Sequence, residues 1–238
     1  TLSPDGTLLA WIEWDHPNMP WDSTRLCMGR VVRGADGTIA ALEGVQVLAG
    51  GAGDESLVEP RWTVDGHLLV ISDRSELWRV WEVVHQPAPH LVAYAMPEGE
   101  IGQPAWVFGQ SSYQPLANGG CMALSVRDGE GQCFVRTAEG HTHSFAGQPD
   151  QCPVALADGR FAWVQAPVDA LPAVVVGSAE HGVQQVIRRS ATLDLQAADI
   201  SRPESVRFAV GGVDGQQGHA FFYPPANSSA CVPQDEKP

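Results

Sequence analysis

The densest set of chemically competent side chains in the sequence is Asp15-His16-Pro17-Asn18-Met19-Pro20-Trp21-Asp22. Carboxylates, an imidazole and aromatics share one proline-stiffened loop, which could receive a substrate amine or press against a partner domain. Asp15, His16, Met19, Trp21 and Asp22 are therefore the candidate substrate- or interface-contacting residues. The alternative is a structural loop in which Trp14 and Trp21 pack between neighbouring sheets. Glu139, His141 and His143 alternate, so a strand would turn all three to one face, where they could form part of a metal site. An exposed hairpin around Gly140 accounts for the same residues without an ion, and neither metal nor cofactor is expected. Trp78 and Trp81 flank Arg79; stacking of arginine on an aromatic could serve binding, but Leu77, Val83 and Val84 extend the run as a central strand would. Gly50-Gly51-Ala52-Gly53 is not followed by the Lys-Ser/Thr of a phosphate loop. A serine nucleophile raised on a strand-to-helix elbow needs glycine two residues before and two after. Ser111 has Gly109 before it but Tyr113 after it, and no other serine has glycine on both sides. No catalytic residue is assigned.

The chain that must position these groups has 238 residues, a net charge of −14 and 44% apolar residues, with 18% charged residues. That is enough apolar material for a sizeable core, and too little charge for a coiled coil. Lys237 is the only lysine, and the other thirteen cations are scattered arginines. Nucleic acid needs a basic face and an anionic membrane surface needs a polybasic cluster, so neither partner is expected. Cys27, Cys121, Cys133, Cys152 and Cys231 are odd in number and form no C-x-x-C pair. They read as small buried hydrophobes in a reducing compartment, which makes the expected location cytoplasmic. The absence of a starting Met or a basic-plus-apolar leader suggests a fragment or a processed product.

One short unit recurs. Leu2-Ser3-Pro4-Asp5-Gly6 leads into Thr7-Leu8-Leu9-Ala10-Trp11-Ile12, and Trp62-Thr63-Val64-Asp65-Gly66 leads into His67-Leu68-Leu69-Val70-Ile71. Ala155-Leu156-Ala157-Asp158-Gly159 leads into Arg160-Phe161-Ala162-Trp163-Val164, with a weaker copy at Asn118-Gly119. Asp-Gly or Asn-Gly supplies the positive-φ positions of a tight hairpin, and the apolar run after it predicts a strand buried on both faces. Asp36-Gly37, Asp128-Gly129 and Asp214-Gly215 are further hairpin signals. The copies are spaced 60, 53 and 40 residues apart, which suits four-stranded propeller blades. Val183 to Ile200 fits neither helical nor strand periodicity throughout and reads as strand plus irregular loop. The expectation is an all-β β-propeller of about four to five blades, part of a larger seven- or eight-bladed ring. The first blade looks cut, because Thr1 falls just before the turn motif.

Three segments resemble the prolyl oligopeptidase family of serine peptidases, in particular its bacterial acylaminoacyl-peptidase and dipeptidyl-peptidase-like members. Leu2 to Trp21 is similar to a blade and its following loop, and Glu59-Pro60-Arg61-Trp62 through Asp73-Arg74 is similar to the next blade's start. Ser201-Arg202-Pro203-Glu204-Ser205-Val206-Arg207-Phe208, with Gly218-His219-Ala220-Phe221-Phe222-Tyr223-Pro224-Pro225-Ala226-Asn227, resembles the hand-over to the α/β-hydrolase domain. The resemblance implies propeller blades over 1–200 and, over 201–238, a junction hairpin leading toward an absent hydrolase domain. It implies a substrate-gating portion that admits short peptides, inactive alone, whose partners are the parent's hydrolase domain and peptide substrates. The repeats alone fit a stand-alone binding or scaffold propeller equally well, and a propeller lactonase or glycosidase would need an inward ligand set that cannot be assembled. Unpaired blade edges add an expectation of self-association or of closure into a compressed ring.

Overall fold

The computed structural model describes residues 1–53, 55–127, 129–192, 196–211 and 215–229. Asp128, Leu193, Leu195, Asp214, Cys231 and Lys237 therefore lie outside the described residues. The described elements are strands in antiparallel sheets, apart from one 3-10 turn at Ala197–Asp199. The first sheet holds β1 (Leu8–Glu13), β2 (Arg25–Arg33) and β3 (Ile39–Gly50), with a single bridge from Leu2 to Leu9 standing where a further inner strand would pair. The second holds β4 (Leu57–Trp62), β5 (Leu68–Ser72), β6 (Arg79–Val84) and β7 (His90–Ala93). The third holds β8 (Tyr113–Pro115), β9 (Cys121–Arg127), β10 (Glu130–Arg136) and β11 (Thr142–Ser144). The fourth holds β12 (Val154–Ala155), β13 (Phe161–Gln165), β14 (Ala173–Ser178) and β15 (Gly182–Arg189). A hairpin of β16 (Glu204–Ala209) and β17 (Gln217–Phe222) follows.

These sheets are the blades of a propeller, stacked face to face. Successive residues of a strand point to opposite faces, and in β5 both faces are covered. Leu68 and Val70 pack toward the first sheet with Ala10, Leu26 and Met28, while Leu69 and Ile71 pack toward the third with Tyr113, Cys121 and Ala123. The third and fourth sheets repeat this with Met122, Cys133 and Phe145 against Phe161, Trp163 and Val175. The first strands β4 and β8 meet across blades, and β4 also meets β1, the strand beside the Leu2 bridge, whereas the last strand β15 is exposed along most of its length. The first strand of each blade is thus the inner one. Trp78 and Trp81 lie three residues apart and fall into different inter-blade cores, and it is Arg74 rather than Arg79 that stacks on Trp81, 5.3 Å from its ring centre.

The structure corrects two expectations. In the repeated turn only the glycine has positive φ, +70° at Gly6, +89° at Gly66 and +81° at Gly159. The aspartate instead accepts from the residue two places on: Asp5 from the Thr7 amide, Asp36 from that of Thr38 and Asp158 from that of Arg160, at 3.0 to 3.1 Å. At the Asp65 copy the His67 amide donates to Thr63 Oγ at 2.9 Å and Thr63 Oγ to Asp65, while Gly66 N donates to Thr63 O and Thr63 N to His67 O, so the unit is a turn plus a left-handed glycine closed by a side-chain clasp. Two-face burial holds for β5 and for β9 from Cys121 to Ala123, whose side chains enter two different inter-blade cores; β13 alternates, and β1 is half-buried because, among the described residues, its sheet has a blade on one side only. Glu139 lies in the turn before β11 and His141 just outside that strand, so the three residues do not line one strand face, and no group of three metal-ligating side chains occurs among the described residues.

Candidate functional site

A cavity of about 850 Å³ opens where the loop after β1, the strand β4 and the segment 103–110 converge. Its wall is aromatic and sulfur-bearing. Trp14, Met19 and Trp21 come from the first loop, and Trp106 and Phe108 from the segment before β8. Trp21 and Trp106 stack with centroids 4.1 Å apart and planes tilted by 33°. Trp106 is 69% exposed and Phe108 99% exposed, an unusual display of large apolar surface.

The floor is polar and comes from the inner strands. Pro60 lacks an amide proton and interrupts the β4–β5 ladder, whose register shifts between Val58 and Arg61. Glu59 takes φ +51°, a left-handed conformation that costs a residue with a Cβ roughly 1 kcal/mol or more. Neighbouring blade residues hold it there. Glu59 Oε1 accepts from Ser112 Oγ at 2.7 Å, Oε2 from the Ser112 amide at 2.9 Å, and the Glu59 carbonyl from the Tyr113 hydroxyl at 2.8 Å. Tyr113 is fully buried, and that burial pushes its phenol well above the ordinary value. Arg61 donates through Nη2 to Glu59 Oε2 at 3.2 Å and lies 5.5 Å from the Tyr113 ring centre.

The loop 15–22 is brought to this cavity only in part. Met19 and Trp21 line it, as does Trp14, which is 42% exposed instead of packed between blades. Asp15 accepts from Arg25 Nη1 at 2.6 Å, and Asp22 Oδ2 accepts from the Met19 amide at 2.8 Å, so both carboxylates are engaged locally. His16 is exposed and does not line the cavity. Sequence reasoning missed Glu59, Arg61 and the run Trp106-Val107-Phe108. Two signals were available: a glutamate before proline inside a strand, and three successive apolar residues in a Gly- and Pro-flanked stretch with no alternation.

A second cavity, about 800 Å³, lies between the third sheet and the hairpin and is lined by Glu98, Ser125, Arg127, Glu130 and Ser205 among others. Its polar groups satisfy one another, with Arg127 on Glu98 at 3.3 Å and Ser125 Oγ on the Glu98 carbonyl at 3.1 Å. Ser205 Oγ is 2.8 Å from His219 Nε2 on the exposed hairpin, but that imidazole packs edge-on to Phe221 and no carboxylate among the described residues orients it. A working nucleophile needs that third group.

No family model and no curated protein matches the chain. Solved structures do. The chain is similar to puromycin hydrolase at 29% identity and a TM-score of 0.80, over 100% of this chain and 35% of that one. The chain matches the propeller portion of prolyl oligopeptidase-family peptidases. A puromycin-hydrolyzing peptidase of Mycobacterium tuberculosis is 27% identical with a TM-score of 0.82, over all of this chain and 36% of that one. Prolyl oligopeptidase B of Galerina marginata, at 12% identity and a TM-score of 0.64, shares the fold over 92% of the propeller. The propeller chain thus spans about a third of the length of the peptidases it matches.

Proposed function

We propose that this chain is the non-catalytic, substrate-gating propeller portion of a serine peptidase acting on short peptides. The observation that carries the reading is the match along its whole length, at close to 30% identity, to about a third of puromycin hydrolase. Rigid stacked blades with converging inner strands exclude folded chains by size, and the cavity at one end offers an apolar wall to a short peptide. In this reading 201–238 is the junction to the hydrolase domain, which the hairpin β16–β17 opens, and the exposed aromatics of 103–110 belong to the face that meets substrate or hydrolase. Release of an acylated residue, release of a dipeptide and cleavage at proline all fit it, and the working location is cytoplasmic.

The test uses the chain alone and the full product of its gene. The isolated chain is expected to show neither fluorophosphonate labelling nor peptidase turnover. The full product is expected to cleave short peptides and spare folded proteins, and to lose that size limit when the propeller is deleted. Covalent labelling of the isolated chain overturns the reading. For the isolated chain we also propose self-association, since the far faces of the first and last full sheets leave Val45, Val47 and Ile187 exposed; a concentration-independent monomer in sedimentation refutes that part.

A further inference from the structure

We propose that Arg61 is an anchor for the free carboxylate of a short peptide whose apolar side chain lies against Trp21 and Trp106; this rests on the reading that the cavity receives peptides. Arg61 is the one cationic side chain among the described residues lining the cavity, in a chain of net charge −14. Its donors are largely unused. A guanidinium carries five N–H groups. Nη2 reaches Glu59 at 3.2 Å and only grazes the Gln110 carbonyl at 3.5 Å, and Nε is buried with no partner at all. That Nε is closed to the cavity, so the donors a ligand meets are Nη1 and Nη2, of which only Nη2 has a partner, and Nη1 is left to take an acceptor.

Glu59 does not supply that acceptor. Its two oxygens are taken by Ser112 Oγ and the Ser112 amide, which pins the carboxylate to the neighbouring blade and leaves Arg61 a single long contact. The left-handed turn at Glu59 and the ladder shift after it set where Arg61 emerges, between the 850 Å³ cavity and a smaller one of about 360 Å³ beside β8. Glu59 is in these terms a positioning residue. The acceptor that fits a planar donor fork best is a carboxylate, which takes two parallel bonds where an amide carbonyl takes one. The stacked indoles on the same cavity supply the apolar contact.

The experiment titrates the 238-residue chain with the N-acetylated tripeptide Ala-Ala-Phe as free acid and as C-terminal amide, so that the carboxylate is the only charge that differs, read by calorimetry and tryptophan fluorescence. The acid is expected to bind about 10- to 100-fold tighter, the effect of one charge-assisted pair. Arg61→Gln removes that preference, Arg61→Lys keeps part of it, and Trp106→Ala weakens both ligands equally while leaving their ratio unchanged. Equal binding of acid and amide overturns the anchor and leaves the peptide cavity standing; no binding of either overturns both. Should Arg61→Gln not fold, salt decides on the unaltered chain: affinity for the acid must fall with added salt while that for the amide stays level. A level response for both overturns the anchor.

Discussion

Replacing Glu59 by glycine should leave the protein more stable than replacing it by alanine, the reverse of the usual order in a strand. Both substitutions delete the same bonds, the two contacts to Ser112 at 2.7 and 2.9 Å and the pair with Arg61 at 3.2 Å. The Glu59 side chain is 10% exposed and that of Arg61 30%, so the loss falls at about 2–3 kcal/mol, below that of a wholly buried pair. The Tyr113 bond survives either change, because its acceptor is the Glu59 carbonyl. What differs is φ +51°, where a Cβ is strained by about 1–2 kcal/mol and glycine is not, set against the roughly 0.5–1 kcal/mol of extra chain entropy that glycine loses on folding. The glycine variant should therefore lie about 0.5–1 kcal/mol above the alanine variant. Elsewhere in a strand glycine loses roughly 0.5–1 kcal/mol to alanine. The assay is urea unfolding followed by tryptophan fluorescence, with equal m-values required so that the difference reports stability. Alanine equal to or better than glycine would refute the reasoning, because the left-handed backbone would then carry no strain.

Three further outcomes follow from the packing and the titrating groups. Ile71→Ala removes a fully buried side chain shared by two blades and should cost about 2–5 kcal/mol, whereas Val186→Ala on exposed β15 should stay within about 0.5 kcal/mol in the same urea assay. The turn clasps hold Asp5, Asp36, Asp65 and Asp158 below the ordinary value of 3.8, through bonds from Ser3 and Thr7, from Thr38, from Thr63 and from Arg160 respectively. A lowered folded value means stability that is present above the unfolded pKa and is lost as pH falls through the folded one; unfolding monitored below about pH 4 should show that slope, and Asp→Asn changes at these turns should flatten it. Burial pushes the thiol of Cys27 up to about 11 and that of Cys121 up to about 12, so native protein at pH 8 should resist iodoacetamide at both, with alkylation appearing in urea; prompt native alkylation at Cys121 would contradict its placement.

The blade architecture was legible because its cause is local. A glycine three residues after the turn's start, an aspartate before it and an apolar run after it recur along the chain, and each sets one hairpin whatever surrounds it. The same locality misled where neighbours decide. The motif at Asp5-Gly6 reads like that at Asp65-Gly66, yet β1 is half-buried and β5 wholly buried, since only β5 has a blade on either side. Glu139, His141 and His143 alternate as strand residues would, but the turn leaves only His143 of the three in the strand. In the loop 15–22 the residue types were informative and their partners were not: Asp15 turned to Arg25 and Asp22 to a backbone amide, leaving Met19 and Trp21 for the cavity.

Composition and repetition by themselves determined an acidic all-β chain of stacked hairpins without the G-x-S-x-G spacing, because such features are written in neighbouring residues. The meeting of Glu59 with Ser112 and Tyr113, 53 and 54 positions away, belongs to the tertiary structure alone. So does the stacking of Trp21 on Trp106. Contacts across blades depend on how sheets pack face to face, and that geometry has no period in the sequence from which it could be read.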